Sequence, residues 1–327
     1  MSVDEDDADE GSGGPGVARP AAYGGPGWSP RESDHAEEIG SLWEGFRVSS
    51  EFDALEAVLL SPPGPALAAA EDAPDASQLL AAVDLGRAAE EHAQLAEAYR
   101  TAGVRVEVVP ASETHANAMF CADLFAMTPQ GAILGRPAST VRAGEERPVA
   151  AALAALGVPI LATLTGGAVF EGADLMWVDP ETALIARGLR TNDDAIDQIE
   201  RVLDQMEVAL TPVDLPVGTM HLMGVLRIVS PGIAVAWPKR TPYRAVQLLE
   251  DFGFRVAMVP EDLDQAEIAT GLNVVTLSPG RILMGSGCPG MRAFWERIGV
   301  EPIETPVDEL RKAAGAVGCL TGILARS

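Results

Sequence analysis

One strand–turn–strand–helix–strand pattern recurs along this chain with a step of about fifty residues, and that step limits the possible folds more than any other feature. Asp123, Glu171, His221, Asn273 and Cys319 open successive units at intervals of 48, 50, 52 and 46 residues. The turns that follow the first four carry Pro129, Pro180, Pro231 and Pro279, spaced 51, 51 and 48. CADLFAMTPQGAIL, EGADLMWVDPETALIA, HLMGVLRIVSPGIAVAW and NVVTLSPGRILMG each read as two short apolar strands around a proline turn. A helical stretch and a last strand follow each, as in DDAIDQIERVLDQM to EVALTPV and PYRAVQLLEDFG to FRVAMVP. A fixed period of this size argues for stacked or ring-closed ββαβ units.

The fifth unit is split between the ends of the chain. DALEAVLLSP, the helix GRAAEEHAQLAEAYRTAG and the strand VRVEVVP lie at the front, and GCLTGILARS lies at the end. Pairing the last strand beside the first closes a five-fold α/β propeller, which removes sheet edges and turns the leading residue of every unit toward one axis. The competing reading is an ordinary α/β sheet whose repeats coincide by chance.

Composition enters at three points. Residues 1–30 are acidic, then rich in glycine and proline, with no apolar periodicity, and are expected to form a disordered tail ahead of a single domain over 31–327. The start lacks a signal-peptide pattern and no segment reaches the length of a membrane span, so a soluble cytoplasmic protein with no membrane partner is expected. A net charge of −25 argues against nucleic acid as a partner and mildly favours a cationic small molecule. The three cysteines show neither a disulfide framework nor metal-ligand spacing, so no metal and no cofactor is expected.

If the ring closes, a cysteine, a histidine and two carboxylates meet at its axis. That set suits a cationic electrophile. A thiol is mostly protonated at neutral pH unless a positive charge stands beside it, and a bound guanidinium would supply one. The same guanidinium would need carboxylates to replace its water, and its planar N–H groups match carboxylate oxygens in pairs. Asp123 and Glu171 are placed for this. Cys121 and Asn273 are expected to be structural, Cys288 to lie in a loop, Asp174 to serve a turn or the site, and His35, His92 and His115 to carry no chemistry.

These residues resemble the pentein, or guanidino-group-modifying, superfamily, which includes arginine deiminase, dimethylarginine dimethylaminohydrolase and the amidinotransferases. The resemblance covers roughly residues 50–327. NAMFCADLFAMT is similar to the family's Asn-x-x-Phe-x-x-Asp stretch, which implies Asp123 as a guanidinium-binding carboxylate and Asn117 as a substrate contact. FEGAD implies Glu171 as the partner of the catalytic histidine, MHLMG implies His221 as general acid and base, and AVGCLTG implies Cys319 as nucleophile. RAGEE and GLRTN resemble segments whose arginines, here Arg142 and Arg190, grip a substrate α-carboxylate.

Three departures accompany the likeness. Met223 stands at the substrate site where many members have Asp, Ala122 where arginine deiminases often have Arg, and Gly318 where amidinotransferases often have His before the cysteine. The resemblance implies a pentein fold and a cysteine-dependent hydrolase of arginine or an N-substituted arginine that forms citrulline through a covalent thiouronium. The alternatives are an amidinotransferase moving the amidino group from arginine to an amine, and a non-catalytic ring that binds a ligand or partner protein.

Overall fold

Five three-stranded sheets realise the fifty-residue step. The computed structural model describes residues 19–70 and 73–327. Each complete unit is an antiparallel hairpin whose second strand then pairs in parallel with a third, reached through a helix. The four uninterrupted units are β3 (Phe125–Thr128), β4 (Gly131–Leu134) and β5 (Ile160–Thr163); β6 (Leu175–Asp179), β7 (Thr182–Arg187) and β8 (Ala209–Asp214); β9 (Leu226–Ser230), β10 (Ile233–Ala236) and β11 (Arg255–Met258); and β12 (Val275–Ser278), β13 (Arg281–Gly285) and β14 (Glu301–Thr305).

The split unit closes as the sequence implies. β15 (Gly322–Arg326) pairs antiparallel with β1 (Leu55–Leu60), and β1 pairs parallel with β2 (Arg105–Val108). The terminal strand thus takes the place that β3, β6, β9 and β12 hold in their own sheets. Ring closure is visible at the axis, where residues of all five of these strands, Phe125, Trp177, Arg227, Thr276 and Arg326 among them, line one cavity of about 90 Å³.

The crossover helices Leu85–Thr101, Glu146–Ala155, Asp193–Asp204, Tyr243–Asp251 and Pro289–Arg297 each bury one stripe against the sheets. In Asp193–Asp204 the buried residues are Ala195, Ile196, Ile199 and Leu203, the spacing of one helical face. Full burial of each large aliphatic side chain is worth about 1.5–3 kcal/mol. Asn192 caps this helix by accepting the Ala195 N–H at 3.1 Å, and Asp193 and Asp194 favour its positive end. Two buried aromatic polar atoms have partners: Trp295 Nε1 donates to the Gly271 carbonyl at 2.9 Å and the Tyr99 hydroxyl meets Thr321 at 2.8 Å.

Of the tail expected over 1–30, residues 1–18 lie outside the described residues. Residues 19–30 are mostly exposed and include one 3₁₀ turn, Ala21–Tyr23. Among the described residues no helix is long and apolar enough to cross a membrane.

Candidate active site

The leading residues of the units sit on short helical turns that precede the inner strands. Asp123 ends the turn Cys121–Asp123, while Glu171 and His221 occupy the N-cap positions of Gly172–Asp174 and Leu222–Gly224. Cys319 lies in Val317–Leu320. These turns pack so closely that Gly172 has no alternative, since a Cβ there would stand 2.1 Å from the Phe125 carbonyl oxygen. Asp174, fully buried, joins two of them by accepting the Thr191 hydroxyl at 2.7 Å and the Leu222 N–H at 3.0 Å. Burial pushes its carboxyl up to about 6 despite the positive His221 and these two hydrogen bonds.

One pocket is lined by Asn117, Asp123, Arg142, Arg190, His221 and Cys319. His221 Nε2 lies 2.7 Å from Glu171 Oε2, which leaves Nδ1, 3.9 Å from Asp123 Oδ1, as the nitrogen free for proton transfer. Burial opposes charging of this imidazole, yet Asp123, the Glu171 hydrogen bond and Asp174 outweigh it and lift His221 to about 9. Glu171 is held below the usual carboxylate range because His221, Arg142 and Arg190 overcome its own burial.

The Cys319 thiol is raised, first by burial and then by the nearby Asp123 charge. Acting the other way, Asn273 Nδ2 donates to Cys319 Sγ at 2.9 Å, and Asn273 Oδ1 accepts the Cys319 N–H at 3.1 Å. Asn273 therefore does more than keep the period. Gly318 is as constrained as Gly172, because a Cβ would stand 2.3 Å from Arg227 Nη2 and 2.6 Å from Asn273 Oδ1. The histidine common before the cysteine in amidinotransferases has no room here.

The Arg142 guanidinium is buried among acids: Nη1 lies 2.7 Å from Asp123 Oδ2 and 3.3 Å from Glu171 Oε2, and Nη2 lies 2.8 Å from Glu145 Oε2. Three carboxylates away from water need a counter-charge, and Arg142 supplies it. Arg190 Nη1 also reaches Glu171, at 3.0 Å from Oε1. Asp123 Oδ1, by contrast, is buried without a hydrogen-bond partner.

Asn117 lines the pocket while donating Nδ2 to the Ser77 carbonyl at 2.8 Å. Met223 does not line it; it packs between the axial cavity and a second lobe beside Cys319. Cys121 is fully buried, with its thiol pushed up by burial, and Cys288 is buried at the start of Pro289–Arg297. His115 lies outside the lining, its Nε2 3.2 Å from the Ala143 carbonyl. Asp123, Glu171 and His221 bring donor atoms within 4.8 Å of one another. The Arg142 guanidinium and an imidazole that favours its proton already supply this cluster with positive charge.

A sequence profile of the family described as N,N dimethylarginine dimethylhydrolase, eukaryotic, matches residues 68–274. The chain belongs to this family. A dimethylarginine dimethylaminohydrolase of Pseudomonas aeruginosa is 24% identical over 238 residues, covering 73% of this chain and 89% of its own. A solved structure of dimethylarginine dimethylaminohydrolase from the same organism, a cysteine-to-serine mutant with citrulline, matches with a TM-score of 0.70 and 22% identity over 84% of this chain and all of its own. The amidinotransferase SxtG of Microseira wollei matches with a TM-score of 0.69 and 17% identity over 86% of this chain and 97% of its own. Membership of the dimethylarginine dimethylhydrolase family makes the chain a guanidino-modifying enzyme of the pentein superfamily, a hydrolase or transferase of the guanidino group.

Proposed function

We propose that this enzyme hydrolyses the guanidino group of arginine or an N-substituted arginine and releases citrulline. The observation that carries the reading is where Arg142 sits: the protein's own guanidinium is seated on Asp123 and Glu171, beside His221 and Cys319, so these carboxylates recognise that group. A substrate guanidinium takes this place, with Asp123 Oδ1 as an unused acceptor. Arg142 and Arg190 then turn to the substrate carboxylate, which supplies the counter-charge they lose.

The substrate cation beside Cys319 favours loss of the thiol proton to solvent, and the thiolate attacks the guanidino carbon to form a C–S bond. The C–N bond to the departing nitrogen breaks as protonated His221 gives it a proton, leaving a thiouronium on Cys319. Water attacks the same carbon and loses a proton to His221. The C–S bond then breaks as the carbonyl forms and its O–H proton passes to solvent, citrulline leaves and the thiolate is restored. Asn273 Nδ2 stabilises the charged sulfur at both ends of the cycle.

The test is incubation of the purified full chain with arginine, Nω-methylarginine and Nω,Nω-dimethylarginine, measuring citrulline, ammonia and alkylamines. Citrulline from one of them, lost in Cys319→Ser, is expected. Ornithine that appears only with an added amine, and no citrulline, refutes hydrolysis; no product under either condition refutes the assignment altogether.

A further inference from the structure

The reaction centre opens on two sides, and the second side has a different chemical character. Toward Asn117, Asp123, Arg142 and Arg190 the space is narrow, about 30 Å³, and densely charged. On the other side of His221 and Cys319 lies a lobe of about 170 Å³, walled by Thr219, Gly224, Trp237, Ala269 and Asn273. It continues past Trp237 and Arg240 into a cleft of about 330 Å³ between Val217 and Glu261. The lobe next to Cys319 contains no carboxylate, and its one full positive charge beside His221 is Arg240, which stacks 4.5 Å from the Trp237 ring centre and donates to the Gly218 carbonyl at 2.9 Å. Such walls accept apolar matter and repel a second cation.

Building on the hydrolase reading, we infer that this lobe receives the departing amine and that the substrate is an N-substituted arginine whose substituent is an alkyl or arylalkyl arm larger than two methyl groups. His221 lines both spaces, so the nitrogen it protonates stands at the entrance of the lobe. A volume of about 170 Å³ corresponds to roughly five or six water volumes, about twice what the three heavy atoms of dimethylamine fill. Two positions on the wall of the lobe tune the fit. Ala269 is exposed on the helix Gln265–Gly271 and forms one wall, and a Cβ at Gly224 would meet nothing within 4 Å.

The experiment follows citrulline release from Nω-methyl-, Nω-propyl-, Nω-butyl- and Nω-benzylarginine by the full-length wild type and by Ala269→Phe and Gly224→Leu. In the wild type kcat/KM rises about fourfold per added methylene up to butyl, the effect of burying each CH₂. Ala269→Phe removes that gain and leaves Nω-methylarginine turnover within about twofold, and Gly224→Leu, which fills the lobe from a second wall position, also removes the gain. A flat or falling series with Cys319-dependent turnover of the methylated substrate overturns the lobe assignment and leaves the hydrolase reading standing. So does an Ala269→Phe variant that keeps the gain. Formation of butylguanidine and ornithine from arginine plus butylamine, with butylarginine untouched, overturns it in favour of an acceptor-amine site. No turnover of any guanidino compound removes the hydrolase reading and the inference together.

Discussion

Asn273→Asp isolates the stabilisation of the thiolate. The native amide does two jobs: Oδ1 accepts the Cys319 N–H at 3.1 Å and Nδ2 donates to Sγ at 2.9 Å. Aspartate preserves an oxygen for the first and replaces the donor of the second with an acceptor. A hydrogen bond to a charged group is worth about 1.5–3 kcal/mol, so its loss alone raises the thiol by about one to two pKa units. An ionised aspartate next to the sulfur adds repulsion of about 4 kcal/mol at 4 Å and an effective dielectric of 20, and its protonation limits that addition. Alkylation of Cys319 by iodoacetamide, followed by peptide mass spectrometry across pH, reads the thiolate directly. Cys121 and Cys288 serve as internal references because burial raises both thiols. The midpoint for Cys319 should move up by at least one unit and the rate at pH 7 should fall about 10- to 100-fold. A profile that superimposes on the wild type, in protein with an unchanged melting temperature, refutes the role given to Asn273.

Three further outcomes follow from the same cluster. In Glu171→Gln the 2.7 Å anionic partner of His221 is gone, so the imidazole should titrate well below its native value of about 9 and turnover should drop about 10²- to 10⁴-fold, read by NMR of the ring and by the pH–rate profile. His221 is raised from 6.5 to about 9, so its contribution to stability is complete below pH 6.5 and disappears as pH rises through 9; urea unfolding at pH 6 and pH 10 should differ by about 3 kcal/mol from this group, a difference absent in His221→Gln. Arg142→Met strips the counter-charge from Asp123, Glu145 and Glu171 and should cost about 3–5 kcal/mol near neutral pH, partly recovered at low pH as the carboxyls protonate; an unchanged urea midpoint would contradict the account of that cluster.

The ring was legible because the leading residues and the hairpin prolines keep the same step independently, and because the apolar stripes change period between strand and helix within each unit. The same step brought Asp123, His221 and Cys319 to one pocket, with Glu171 behind His221. What pattern could not reach lies at the level of side-chain direction. Arg142 looks like any arginine after a strand until three acids from three segments are seen around it. Asn273 kept the period, yet an amide does not titrate, so nothing in its type pointed to the sulfur. The lobe beyond Met220 is assembled from segments as distant as Gly218, Ala269 and Ala314, none of them reactive. Met223, where many family members have aspartate, lines both the axial cavity and the lobe beside Cys319.

The charges explain why one cluster can both wait for a substrate and turn it over. Asp123 and Glu171 carry negative charge, Glu145 and Asp174, whose carboxyls burial pushes up to about 7 and about 6, add part of theirs, and Arg142, Arg190 and a protonated His221 carry three positive charges, so the pocket is close to neutral while Cys319 keeps its proton. Burial makes any departure from that balance costly. In the proposed reaction an incoming guanidinium displaces Arg142 from Asp123 and Glu171, adding one positive charge, while the substrate carboxylate pairs with the displaced arginines. With a charged substrate α-amino group left in solvent, the substrate adds no net charge, but its positive end lies beside Cys319 while its negative end lies at the displaced arginines. That local positive charge favours ionisation of the thiol. The raised thiol of the protein by itself and the reactive thiolate of the complex are then two states of one electrostatic balance, and the trigger that separates them is the substrate's own charge. A neutral isostere of arginine such as citrulline should therefore bind without increasing the alkylation rate of Cys319, whereas a guanidinium too short to react should increase it.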